Sequence, residues 1–231
     1  MLSHLLLSLI PAVFAITLHE AAHGFAAFAL GDPTAREQGR LSLNPLRHID
    51  PMGSIIIPGL MVLGQLIATG HPGFIFGWAK PVPVNVMRFR HPLQGMGVVA
   101  AAGPGMNFLL AWLGALGLHL LPFMPAQASQ WVMDGLFDFI LFNLALGLFN
   151  LIPIPPLDGS RIIAAVLPAR VAIHWVRLDR YGVLPVLMIV MLLPWLGHQL
   201  GMDLDPVRWL MDRMLRPAVG LVLRLAGHDG G

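Results

Sequence analysis

The sequence predicts an all-α polytopic membrane protein, and three observations carry that expectation. Charged residues are 11% of the 231 and apolar ones 56%, against about 25% and 45–50% in an ordinary soluble domain. Mean hydropathy is +0.73. Apolar runs long enough to cross a hydrocarbon layer of about 30 Å recur between short charged connections. One domain over residues 1–231 is expected, with a core at about 4–165 and a C-terminal part at about 166–231. Cysteine is absent, which excludes disulfides and thiolate metal sites, so any metal is held by nitrogen and oxygen. The formal charge of +2 comes with no basic tract interleaved with aromatics, which argues against nucleic acid as a partner.

About four spanning helices follow from the order of the runs. The first extends from about His4 to Leu30 and stops at Gly31-Asp32-Pro33, a helix terminator followed by a turn. Met1 to Ser8 lack the basic n-region of a signal peptide, so this run is expected to remain as a span. Residues 34–50 are polar, and residues 51–70 are apolar but interrupted by Pro51, Gly53, Pro58, Gly59 and Gly64. That density of breakers reads as a re-entrant apolar segment. Phe76 to Asn85 alternate like an edge strand punctuated by proline. Spans at about Leu93–Leu121 and Trp131–Leu151 are joined by an uncharged turn. The second of them ends in Asn150-Leu-Ile-Pro-Ile-Pro-Pro-Leu-Asp158-Gly159, whose prolines must unwind it; broken backbone at membrane depth lines a cavity or is buried in protein. Residues 160–180 form a basic helical segment, about Gly182–Leu200 a last span, and Pro206–Leu225 an amphipathic helix. Arg208, Asp212 and Arg216 recur there at i, i+4 and i+8, which suits a helix lying in the membrane interface.

One short pattern carries chemistry. His19-Glu20-Ala21-Ala22-His23 lies inside the first apolar run. Imidazoles at i and i+4 project from one helix face and can take two corners of a zinc site, while the carboxylate beside them can reach a metal-bound water. Ionisable groups in a membrane segment cost about 2.5–3.5 kcal/mol or more and are retained for a purpose. A catalytic zinc needs a third protein ligand and an open position, and Asp158, at the broken end of a span, is the best candidate.

Topology tests that pairing. The two histidines and Asp158 each lie toward the C-terminal end of their spans, so an even number of crossings must separate them. The spans at 93–121 and 131–151 supply two, which leaves none for residues 51–70. With that segment re-entrant, all ten Lys and Arg between residues 31 and 181 fall on one side, as the positive-inside rule requires. Residues 31–92 and 155–181 are therefore expected to be cytoplasmic, with the N-terminus outside, in a multi-pass protein of the cell membrane.

His19-Glu20-x-x-His23-Gly24, Ala102-Gly103-Pro104-x-x-Asn107 and Asn150-x-x-Pro153-x-x-x-Leu157-Asp158-Gly159 together resemble the site-2 proteases, the zinc intramembrane metalloproteases. The match covers roughly residues 10–165, and with Gly77 to Asn85 between the first two motifs it is similar to the small bacterial members. No internal insertion is long enough for a PDZ domain, and no nucleotide-sensing pair of modules is seen. The resemblance implies one zinc per chain on His19, His23 and Asp158, with Glu20 as catalytic base and acid. It also implies a strand-like element that aligns a transmembrane protein substrate in extended form, here through Val82 and Val84. Asn107 and Asn150 match asparagines tied to substrate or transition-state contacts; a helix-packing amide bond remains open for Asn107.

Two other classes stay open, a non-proteolytic metal-binding membrane protein and a catalytically silent helix-binding module. A pure ligand set has no use for Glu20, which argues against both. Gly103 and Gly105 read as sites of close helix approach. His48, His71 and His91 fall in loops, His119 and His198 near outer ends of spans, and His4, His174 and His228 carry no signal. Membrane lipid is the expected surrounding, and the oligomeric state is left open.

Overall fold

A computed structural model describes residues 2–70, 77 and 79–228. Helices α1 (Leu2–Ala29), α3 (Pro92–Gly117) and α4 (Ala126–Asn150) form its centre, with α2 (Ile57–Thr69) to one side. By length and composition Ile10–Ala29, Pro92–Phe123 and Ala126–Asn150 can each cross a membrane, and a bent pair, Ala169–Tyr181 with Leu184–Leu200, makes a fourth candidate. The all-α polytopic architecture read from composition is what the chain adopts.

Lipid tails are as apolar as leucine, so spanning helices associate by close packing of small residues and by interhelical hydrogen bonds. The buried faces follow that rule. Ala15, Ala21, Ala22 and Ala27 of α1 and Ala100, Ala111 and Ala115 of α3 are buried. A Cβ on Gly147 of α4 would lie 3.3 Å from that of Asn107. Phe14, Phe25 and Phe28 of α1, Leu109 and Leu113 of α3 and Phe137 and Phe142 of α4 stay exposed, as side chains facing hydrocarbon would.

Residues 51–70 do not reverse within themselves. Pro51–Ile56 is a π-helical turn that runs directly into α2, which ends at Gly70 with φ +81°. Gly77 then lies against Gly53 and Pro58; a Cβ there would be 2.5 Å from the Gly53 carbonyl oxygen. Gly77 therefore stands where the excursion began, beside Gly53. Pro51 does not break the run, because it occupies the first turn, where no N–H is needed.

The strand-like element includes Phe76 and Trp78, which lie outside the described residues. Over residues 79–85 the chain is non-helical, yet no strand ladder forms among the described residues. Pro81 and Pro83 have no N–H to give to one. Separate bonds hold it instead: Lys80 N–H donates to the His48 carbonyl (2.8 Å), Arg40 Nη2 to the Lys80 carbonyl (2.9 Å), and Asn85 N–H to Asp32 Oδ2 (2.6 Å).

Beyond α4 come α5 (Asp158–Val166) and α6 (Ala169–Val176). The chain turns by 78° around Gly182, whose φ is +55°, and Leu184–Leu187, Met188–Leu192 and α7 (Leu193–Leu200) continue as one apolar rod. The C-terminal helical run, 206–225, ends in α8 (Arg216–Leu225), where the amphipathic helix was expected. Leu215, Val219, Val222 and Leu223 pack on Ala111, Ala115, Ile140 and Leu144, so the run lies along α3 and α4. Its apolar stripe finds helix partners, while Arg208 and Asp212 stay exposed. The end is stapled: Trp112 Nε1–H donates to the Leu225 carbonyl (3.2 Å), His119 pairs with the Ala226 carbonyl (2.7 Å), and His228 with that of Ala115 (2.8 Å). The last two imidazoles stack 4.1 Å apart.

Candidate metal centre

One turn of helix separates His19 from His23, which stacks their rings edge to face with centroids 4.7 Å apart. Each ring is oriented from behind. His23 Nδ1 lies 2.7 Å from the Val99 carbonyl, and since a carbonyl only accepts, Nδ1 carries the proton. The same logic runs through two asparagines. Asn143 Nδ2 donates to the Phe139 carbonyl (2.8 Å), so its Oδ1 receives Asn107 Nδ2 (2.9 Å); Asn107 Nδ2 also reaches the Ala15 carbonyl (3.3 Å). Asn107 Oδ1 is then left to accept from His19 Nδ1 at 2.6 Å. In neutral imidazoles with Nδ1 protonated, as zinc ligation requires, both Nε2 atoms present bare lone pairs.

Asp158 meets them from the other end of the fold. The proline-rich stretch after Asn150 cannot continue α4, and α5 restarts at Asp158 itself. Gly159 permits the return, because a Cβ there would overlap the Leu151 carbonyl. Asp158 Oδ2 lies 3.1 Å from His19 Nε2 and 3.3 Å from His23 Nε2, and the two nitrogens are 3.1 Å apart. The same oxygen is buried without a hydrogen-bond partner. Two neutral imidazole nitrogens and a carboxylate oxygen so close are three acceptors that repel one another unless a cation joins them. Zinc bonds of about 2.0–2.1 Å place tetrahedral ligand atoms about 3.3–3.4 Å apart, close to what is seen. His19, His23 and Asp158 are the group among the described residues that could hold a metal ion.

A cavity of about 590 Å³ opens onto this centre, and its polar side chains are His19, Glu20, His23, Asn150, Asp158 and Arg161. Glu20 Oε2 accepts from the Val82 N–H at 3.2 Å. Val82 and Val84 line the same wall. Asn150 spends one amide hydrogen on the Leu146 carbonyl (3.0 Å). Asn107, by contrast, is fully buried behind the histidines and does not line the cavity. Its polar atoms are committed to His19, Ala15 and Asn143.

Sequence reasoning missed Asn143, whose only signal was a lone amide in an apolar run. It also read Gly103 as a helix contact alone. A Cβ at Gly103 would lie 2.5 Å from His23 Nε2 and 2.6 Å from His19 Cε1, so α3 packs there on the imidazoles themselves. Beside the cavity lies an apolar hollow of about 360 Å³, and Phe149, Leu157 and Val186 line both.

Residues 120–193 match the family model Peptidase family M50. The chain is 39% identical over 184 residues to Putative zinc metalloprotease YwhC of Bacillus subtilis, a match covering 78% of each chain. Against Putative zinc metalloprotease Rip2 of Mycolicibacterium smegmatis it is 35% identical over 147 residues, 64% of this chain and 52% of that one. Rip2 of Mycobacterium tuberculosis is 32% identical over 145 residues, 62% and 51% of the two chains. No solved structure matches.

Proposed function

Since the chain belongs to peptidase family M50, the site-2 protease family, we propose that it is a zinc-dependent intramembrane endopeptidase that hydrolyses peptide bonds in or near spanning segments of membrane proteins. The observation that carries this reading is the convergence of His19, His23 and Asp158 beside a carboxylate, at the end of helices long enough to span a bilayer. His19, His23 and Asp158 would hold one zinc per chain. When bound, zinc supplies Lewis acidity, bringing the pKa of its water toward about 7 and polarising a carbonyl.

The chain's own groups do the rest. Glu20 takes a proton from water as the water oxygen bonds to the scissile carbonyl carbon, and later gives it to the leaving nitrogen as the C–N bond breaks. The products are a carboxylate and an ammonium, the second proton of the water passing to the amine. Val82 N–H holds the Glu20 carboxylate toward the cavity. Asn107 and Asn143 position His19, and Val99 positions His23. A substrate helix shields its peptide bonds with its own hydrogen bonds, so it must enter unwound. The cavity wall at Val82 and Val84 receives it in extended form. With Pro81 and Pro83 unable to donate, carbonyl groups and side-chain packing carry much of that contact. The centre lies nearer the cytoplasmic face, with the N-terminus outside.

The test measures zinc by elemental analysis and cleavage of a single-span membrane protein by gel. Glu20→Gln is expected to retain one zinc per chain and lose cleavage, while His23→Ala and Asp158→Asn lose both. Normal turnover by Glu20→Gln removes the reading.

A further inference from the structure

The cavity's polar inventory is unbalanced. His19 Nε2 and His23 Nε2 are lone pairs, and Glu20 and Asp158 are carboxylates, so four of the six polar side chains on the wall only accept. Donors come from Asn150, already partly used by Leu146, and from Arg161. A hydrolytic centre must meet a carbonyl oxygen that gains negative charge, and donors aimed at that charge are worth about 10²- to 10³-fold in rate each. Asn107, expected from its motif to be such a donor, has no hydrogen left to offer.

Arg161 is placed to fill the gap. It follows Asp158 by three residues on α5, so both side chains project from one helix face into the same cavity. The helix beneath is held tightly against α3: a Cβ on Gly97 would overlap that of Ala165 and lie 3.6 Å from the Arg161 carbonyl oxygen. Asp179, from the turn at Arg177–Tyr181, takes Arg161 Nη2 at 3.5 Å. That single contact leaves most of the guanidinium's five donors uncommitted to Asp179. Asp179 Oδ1 is itself buried without a hydrogen-bond partner, so the pair is a one-point anchor and not a saturated structural network.

We propose that Arg161, anchored by Asp179, donates to the scissile carbonyl oxygen as charge builds on it, acting as the second electrophile of the site. This rests on the protease reading above. Asp179 is a positioning residue, and Arg161 is the group that touches substrate.

The experiment uses the full-length zinc-loaded protein in detergent and two probes, with binding read by calorimetry and zinc by elemental analysis. Acetohydroxamate engages the metal alone. A peptidyl phosphinate with apolar flanks presents a tetrahedral oxyanion where the carbonyl would be. Arg161→Ala is expected to keep its zinc and its acetohydroxamate affinity and to bind the phosphinate about 100-fold more weakly. Arg161→Lys recovers part of that loss, since it keeps the charge without the planar fork. Asp179→Asn loses about tenfold, by the same weakening of one donor. Phosphinate affinity within about twofold of the parent in Arg161→Ala overturns the proposal. Loss of zinc and both probes together also overturns it, by making Arg161 part of the scaffold. A parent that binds acetohydroxamate and ignores the phosphinate overturns the protease reading and this inference with it.

Discussion

Both imidazoles of the centre are set by groups behind them. His19 presents Nε2 because Asn107 takes its Nδ1 proton, and Asn107 is turned that way because Asn143 and Ala15 take its amide hydrogens. Such outer partners typically contribute 10- to 100-fold in metal affinity. Asn143→Leu is therefore expected to lower zinc affinity by about tenfold or more while the protein stays helical, measured by competition with a chromophoric chelator. Gly103→Ala should be harsher, since its methyl would fall 2.5 Å from His23 Nε2; zinc content below half of the parent's is the expected result. The paired histidines and Glu20 are legible in the sequence because helical spacing alone puts them on one face. Asn143 was not, because an amide's role depends on which partner each of its atoms meets.

At the scale of elements, the segment 79–85 owes its place to Asp32, just past the end of α1. Asp32 is fully buried, and burial alone would raise its pKa. The Thr34 hydroxyl, the N–H groups of Asn85 and Thr34, and the Arg88 guanidinium outweigh that and hold the carboxyl below its ordinary value of 3.8. A folded-state pKa below the unfolded one means stability that is present above about pH 4 and lost as pH falls through the lowered value. Asp32→Asn is expected to lower the thermal midpoint at pH 7, at a cost of about 1–3 kcal/mol. The gap to the parent should narrow steadily below pH 4 in a thermal melt series. A gap that is constant with pH counts against the clamp. The alternation at 76–85 was legible in the sequence, and its proline interruptions explain why no ladder forms among the described residues. The amphipathic character of residues 206–225 was legible too, but a stripe of leucine and valine suits lipid or a neighbouring helix equally. In the fold that stripe packs on α3 and α4.

For the whole molecule, the C-terminal ends of α1 and α4 and the N-terminal half of α3 meet at one centre. The connection between α1 and α3 must then make no net crossing, and the return of Gly77 to Gly53 agrees with that. A reporter fused in the 122–125 turn is expected to be active outside the cell and one fused at Gly39 inside. The reverse pattern would invert the orientation proposed here, and equal signals from both would break the parity of α3.

Composition and spacing by themselves determined the class of the protein, the positions of its main spans, and the residue types able to hold a metal. These are local properties: hydropathy over some 20 residues, the i, i+4 geometry of one helix, the halt that proline imposes. Tertiary structure alone decided that Asp158, 135 residues beyond His23, stands 3.3 Å from it. It also decided that Asn107 serves a histidine and that Arg161 shares the cavity. Close packing of small residues brings those helices together, and which side chains then face one another depends on approach distances and rotations that no single segment contains.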